Sequence, residues 1–218
     1  MKTIVVTSRK GGVGKTTVAV NLALEAFAAG ARVIVADIDP QRSATDALKA
    51  RTRPGPSLVE TSAGKLFQLH MAASREGVDL LVIDTPSTPD AEVAMAMNIA
   101  DLCVLVSRPN FLDVASVVRS SEAVRRLGRT GVVVLNQAPP SRKGIEPPVV
   151  LRAVEALRFC GLPLAGIGLR ARAVYQAAIA HGVSAGEWDS NSTAAREVAG
   201  LWRDLEHRLG VERAAESA

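Results

Sequence analysis

The sequence predicts a single α/β domain, with a mostly parallel sheet of about seven strands and helices on both faces. Three observations carry this. Short apolar runs rich in β-branched residues alternate with longer stretches in which apolar residues recur at helical spacing. Leu80 to Ile83 is apolar without a break, as suits a parallel strand covered on both faces. The strand-like runs end in acids or in a glycine-rich turn, which sets polar groups along the carboxyl edge of an open sheet.

In chain order, Thr3 to Thr7 reads as the first strand, and Val18, Leu22, Leu24 and Phe27 mark a helix ending at Gly30. Arg32 to Asp37 is the second strand, with a helix from Ser43 onward. Arg51 to Ser57 carries prolines and a glycine and reads as a loop. Ser62 to Glu76 has Leu66, Leu69, His70 and Ala73 at helical spacing. Val78 to Asp84 is a strand, Ala91 to Ala100 a short helix, Asp101 to Val106 a strand, Leu112 to Leu127 a helix and Gly131 to Asn136 a strand. Pro147 and Pro148 suit the start of a further helix. Pro163 to Gly168 is the last expected strand. A final helix, about Ser192 to Leu209, aligns Val198, Leu201, Trp202, Leu205 and Leu209 on one face. Residues 1–210 are expected to form the domain and 211–218 a polar tail.

At 218 residues the chain is long enough for a substantial core. Its hydrophobic fraction is 48% and its aromatic fraction 3%, so Ala, Val and Leu must build that core. Met1-Lys2 leads straight into a strand, which leaves no room for a signal peptide. No apolar run approaches about 18 residues, so no transmembrane helix is expected. Two cysteines suggest a reducing, cytoplasmic setting. Cys103 falls inside a strand and Cys160 at a helix end, where both read as small buried hydrophobes. A net charge of +4 permits a polyanionic partner without requiring one.

The chemistry centres on Ser8-Arg9-Lys10-Gly11-Gly12-Val13-Gly14-Lys15-Thr16-Thr17, between a strand and a helix. That is the context of a phosphate-binding P-loop. Glycines let backbone N–H groups turn inward around phosphate oxygens, and the helix N-terminus adds donors and partial positive charge. Lys15 reaches the β- and γ-phosphates in such a loop, and the Thr16 hydroxyl ligates Mg²⁺. Arg9 stands where the usual pattern begins with glycine, so the loop is a deviant one. Asp84 ends a buried strand in the position from which a carboxylate accepts from Thr16 or from a Mg²⁺-bound water.

Lys10-Gly-Gly-Val-Gly-Lys15-Thr16-Thr17 resembles the signature-lysine loop of the ParA/MinD family of ATPases, and is most similar to the small ParA type. The resemblance runs from Lys2 to about Leu209 and is specific in its first part. It implies an ATP-sandwiched homodimer in which Lys10 reaches the partner's nucleotide, so that Lys10, Lys15 and Asp39 form the catalytic set. Asp37-Ile38-Asp39-Pro40-Gln41 resembles the family's Asp-x-Asp-Pro-Gln switch, where Asp39 orients the attacking water or holds Mg²⁺ through water and Asp37 supports the metal's outer shell. The plain alternative is a strand-end Asp capping the helix from Ser43. Thr85-Pro86-Ser87 resembles the second switch, with Ser87 where many relatives carry another proline.

By the same resemblance Asn136 contacts adenine and Arg170 or a backbone neighbour borders the base, beside the ATP-binding loop residues Gly11, Gly12, Val13, Gly14 and Thr17. Mg²⁺ falls to Thr16, Asp39 and Asp84. Arg142, Lys143, Arg172, Arg196 and Arg203 are the candidates for DNA phosphate. The function implied is an ATP hydrolase on the bacterial nucleoid that positions a plasmid, chromosome or protein cluster. Its implied partners are a second copy of itself, non-specific DNA and a stimulating protein of ParB or adaptor type. The alternative is a MinD-like membrane-associated ATPase, which needs a final helix with its apolar face free for lipid. Acidic Asp204, Glu206, Glu212 and Glu216 count against that.

Overall fold

A computed structural model describes residues 1–87 and 91–210. Its strands are β1 (Lys2–Thr7), β2 (Val33–Asp37), β3 (Ser57–Glu60), β4 (Leu80–Asp84), β5 (Leu102–Ser107) and β6 (Gly131–Leu135). They form one six-stranded sheet in the order β3-β2-β4-β1-β5-β6, and every pairing is parallel. The helices are α1 (Lys15–Ala28), α2 (Ser43–Lys49), α3 (Leu66–Arg75), α4 (Ala91–Asn98), α5 (Phe111–Arg126), α6 (Pro148–Leu157), α7 (Ala173–Ala180), α8 (Ala185–Trp188) and α9 (Thr193–Arg208).

Successive strand side chains point to opposite faces, so an unbroken apolar run feeds two cores. Ile4, Val6, Val35, Val82 and Val104 meet Leu22 of α1 and Leu201 and Leu205 of α9 on one face. Val5, Ala36, Leu81, Ile83, Cys103 and Leu105 meet Leu66, Val117 and Leu157 on the other. Cys103 and Cys160 are buried free thiols, and burial raises the Cys103 thiol to about 12. The apolar face of α9 is thus consumed by docking beside α1, with Trp202 only 6% exposed. No helix among the described residues is long and apolar enough to cross a membrane.

Two places differ from the sequence expectation. Ser57, read from the sequence as the end of a loop, and residues 58–60, which the sequence leaves unassigned, add β3 in parallel to β2 at the sheet edge. Their burial is partial, so the apolar signal that marks the central strands is weak there. Pro163 to Gly168 does run beside β6, with Val133 N–H donating to Pro163 O (2.9 Å) and Ala165 N–H to Val133 O (2.8 Å). It does not complete a ladder. Proline supplies no donor, and the Gly166 N–H turns away to the Asp204 carboxylate at 3.2 Å. The proposed polar tail, 211–218, lies outside the described residues.

Register sets up the site. Asp37 and Asp84 end the neighbouring strands β2 and β4 directly opposite one another, and Asp84 also pairs in register with Val6 of β1. The α1 end that begins with Lys15 follows β1 after a seven-residue loop, residues 8–14, and so opens over those two acids. If α9 is an integral layer of this core, Leu205→Ala should cost about 2–5 kcal/mol, the range for truncating a buried leucine. Urea unfolding monitored by circular dichroism checks this, and an unchanged midpoint would place the helix off the core.

Candidate nucleotide site

The loop between β1 and α1 bends through left-handed backbone at Gly12 (φ 71°) and Gly14 (φ 87°). At Gly14 a Cβ would lie 2.2 Å from the Asn136 amide nitrogen, so only glycine fits. Val13 is fully buried and anchors the loop, while Gly11 and Gly12 are exposed. Lys10 is partly exposed, and its backbone N–H donates to Ser8 Oγ (3.3 Å). Lys15 is buried, and its ammonium donates to Ser87 Oγ at 2.6 Å. Burial pulls the Lys15 pKa down, while the Asp84 and Asp39 carboxylates push it back up.

Thr16 Oγ1 donates to Asp84 Oδ2 at 2.7 Å. Asp84 is fully buried, and its Oδ1 has no hydrogen-bond partner. Burial raises its pKa to about 7, with Asp37 adding to the rise and the Thr16 hydrogen bond and Lys15 opposing it. A buried carboxylate oxygen without a donor, next to a threonine hydroxyl, fits a hard cation. Among the described residues no group of three or more His, Cys, Asp and Glu forms a metal cage. That suits Mg²⁺, which takes one or two protein groups and fills its remaining positions with water and phosphate oxygens.

The expected roles of Asp37 and Asp39 separate. Asp37 is fully buried and accepts from Asp39 N–H (3.0 Å), Thr45 N–H (2.9 Å) and Thr45 Oγ1 (2.9 Å). It is a loop anchor that secures the first turn of α2. Asp37 thus does the helix-holding job of the strand-end Asp that the sequence offered as the plain alternative. Asp39 is half-buried and accepts from Gln41 N–H at 2.9 Å; Pro40 and Gln41 are exposed. Arg42, in left-handed backbone, donates to the carbonyls of Asp37 and Thr61. Thr85 is buried and donates to Val6 O (3.0 Å), and Pro86 is buried beside it.

A pocket of about 470 Å³ opens beside this site, lined by Thr17 of α1, by Asn136 and Gln137 after β6, and by residues between 170 and 176. Asn136 Nδ2 donates to Val13 O at 2.7 Å and Gln137 Nε2 to Gly12 O at 2.9 Å, so the end of β6 holds the phosphate loop from behind. Arg170 lines the pocket, but its guanidinium grips Glu146 at 2.5 Å and 2.9 Å and the Pro139 carbonyl at 3.0 Å. Its charge is offset there, which makes it a wall residue.

Arg172 is corrected more sharply. Its guanidinium sits 2.6 Å from the Glu197 carboxylate, whose hydrogen bond raises the Arg172 pKa. A paired, partly buried guanidinium is a poor phosphate contact. Arg196 and Arg203 lie seven residues apart on α9 and stay exposed, bonding only local backbone and Thr193. Arg142 and Lys143 occupy an exposed turn after β6. Gln137, Glu146 and Glu197 are not legible in the sequence as site residues. They reach the site through sequence-distant contacts and carry no local motif.

A family model described as an AAA domain matches residues 1–68. Over 213 residues the chain is 33% identical to Maintenance of carboxysome distribution protein A from Gloeobacter kilaueensis, spanning 95% of this chain and 94% of that protein. The chain belongs to the ParA/MinD family of ATPases. Its fold matches that of the Pyrococcus furiosus cell division ATPase MinD (TM-score 0.77, 20% identity, 94% of this chain and 98% of that one). It also matches Cyanothece McdA, solved as an Asp-to-Ala variant in complex with ATP (TM-score 0.75, 19% identity, 99% of both chains). The chain is thus a nucleotide-binding ATP hydrolase of a family of positioning ATPases.

The raised Asp84 pKa has a pH consequence. The folded protein holds a proton that the unfolded chain has released, so stability without metal should fall as pH rises from about 4 to about 7. The deprotonated carboxylate is also the form that takes a cation. Mg²⁺-dependent nucleotide affinity should therefore rise between about pH 6 and about pH 8, and Asp84→Asn should flatten that rise. The same variant should melt higher than the parent at alkaline pH without Mg²⁺, by about 2–4 °C per kcal/mol at this chain length. Titration calorimetry and thermal melts across pH check both.

Proposed function

We propose that this ATPase uses ATP-driven dimerisation and non-specific DNA binding to position a cargo on the bacterial nucleoid. The observation that carries the reading is the convergence of Lys10, Lys15, Thr16, Asp39 and Asp84 at the carboxyl ends of β1, β2 and β4. Lys15 sits between two carboxylates in a buried seat, where it can neutralise the β- and γ-phosphates. Thr16 and Asp84 would hold Mg²⁺, which supplies further neutralisation of phosphate charge. Asp39, half-buried and two residues past the anchored Asp37, orients a water for in-line attack on the γ-phosphorus. The bond to the β-phosphate oxygen breaks, and ADP and phosphate leave. Lys10 lies partly exposed on the loop, free to cross to a partner's nucleotide.

ATP then acts as a switch, favouring the dimer through its differential affinity for that state. Exposed Arg196 and Arg203 on α9, with Arg142 and Lys143, supply the DNA-facing charge. Similarity to a carboxysome distribution protein over 95% of the chain supports a protein assembly as cargo, recognised through a stimulating adaptor. The docked apolar face of α9 speaks against the lipid-binding alternative.

The test is DNA association with ATP, with ADP and without nucleotide at two salt concentrations. Binding should require ATP, ignore sequence and weaken steeply with salt. Arg196→Glu with Arg203→Glu should reduce the salt slope by about 2, roughly one per lost phosphate contact. Lys10→Ala should keep ADP binding and lose the ATP dimer in size-exclusion chromatography. DNA binding indifferent to nucleotide, or a normal ATP dimer of the Lys10 variant, would overturn the scheme.

A further inference from the structure

The wall of the proposed base pocket is irregular backbone over residues 170–172 and then the first turn of α7. At residues 170 and 171 its main chain is tied to Ala138, just past β6, by the Ala138–Arg170 bridge and the Ala171 N–H on Ala138 O at 2.8 Å, beside the Arg170 guanidinium bonds to Glu146 and the Pro139 carbonyl. Something else must fix it if it is to hold a base in one place. Glu197 of α9 does so. Its carboxylate accepts from the Arg170 N–H (3.1 Å), from Arg172 Nε (3.0 Å) and Nη2 (2.6 Å), and from the Tyr175 hydroxyl (2.9 Å). All three donor residues line the pocket. The Glu197 side chain is only 12% exposed, so these bonds are shielded from water. Burial and the neighbouring carboxylate drive the Tyr175 pKa upward, so the phenol stays a donor.

The anchor is itself rigid. Leu201 and Leu205 bury α9 in the same core layer as Leu22 and Leu24 of α1. That helix begins with Lys15 and Thr16, the phosphate end of the site. Glu197 therefore ties the base wall to the body that carries the phosphate seat. We infer that Glu197 is a positioning residue for the nucleotide, holding the wall formed by Arg170, Arg172 and Tyr175 in register with the phosphate loop and thereby setting ATP affinity and base selectivity. It touches no reacting atom. Its effect falls on substrate binding more than on chemistry.

This rests on the pocket being the base seat, and the test separates the two ideas. Steady-state ATPase and GTPase kinetics are measured on Glu197→Ala, Glu197→Gln and Lys15→Ala, with circular dichroism melts on each. Glu197→Ala should raise KM for ATP by about tenfold, the scale of a lost charge-assisted bond, with a smaller fall in kcat and a narrowed preference for ATP over GTP. Glu197→Gln keeps an acceptor for the Arg170 N–H and the tyrosine hydroxyl and should recover part of both. Should Glu197→Ala fail to fold, Tyr175→Phe and Arg172→Gln each remove one donor and should move KM and selectivity the same way to a lesser degree. Unchanged KM and selectivity in folded Glu197 variants, with nucleotide binding lost in Lys15→Ala, would overturn the role of Glu197 alone. Tight ATP binding retained by Lys15→Ala would overturn the site assignment beneath it.

Discussion

The structure depends on burying a carboxylate, Asp84, at the end of a central parallel strand. A charge removed from water is expensive unless it is compensated. Here one oxygen takes the Thr16 hydroxyl and the other takes nothing from the protein, while Asp37 lies opposite in register and Lys15 nearby. The folded chain therefore holds an unmet demand for positive charge at the place where α1 begins. A cation brought by a nucleotide phosphate would meet that demand, as the proposed role of Thr16 and Asp84 requires.

Around that point the segments that follow β2 and β4 are fastened differently. Asp37 spends its carboxylate on Asp39 and Thr45, and Thr85 spends its hydroxyl on Val6, so the strand ends are fixed. Asp39, Pro40 and Gln41 project beyond the anchor and are more exposed. The division is between a buried, hydrogen-bonded strand end and a more exposed stretch beyond it. The Lys15–Ser87 bond links the phosphate loop directly to the second of these segments.

The C-terminal third is organised by α9. Its apolar face completes the core over α1, and its polar face divides between Glu197, turned inward onto the base wall, and Arg196 and Arg203, left in solvent. One helix thus holds residues that line the pocket and bears exposed positive charge. Arg170 and Arg172, alike in composition to those exposed arginines, are neutralised by Glu146 and Glu197 and serve as masonry of the pocket.

The sequence by itself determined the α/β class, most strand and helix positions, and the phosphate loop with Lys15, Thr16 and Asp84. Those features are local: they follow from alternation, from glycine placement and from acids at strand ends. It did not determine the edge strand β3, whose partial burial leaves a weak pattern, or the incomplete seventh strand, where Pro163 and Gly166 interrupt pairing. Only the tertiary structure decided that Asp37 anchors and Asp39 projects, since the two differ by which backbone donors the α2 turn brings near. It also decided which arginines are free. That depends on Glu146 and Glu197, separated from Arg170 by 24 and 27 positions, because a charge's effect is set by what folding places within hydrogen-bond reach.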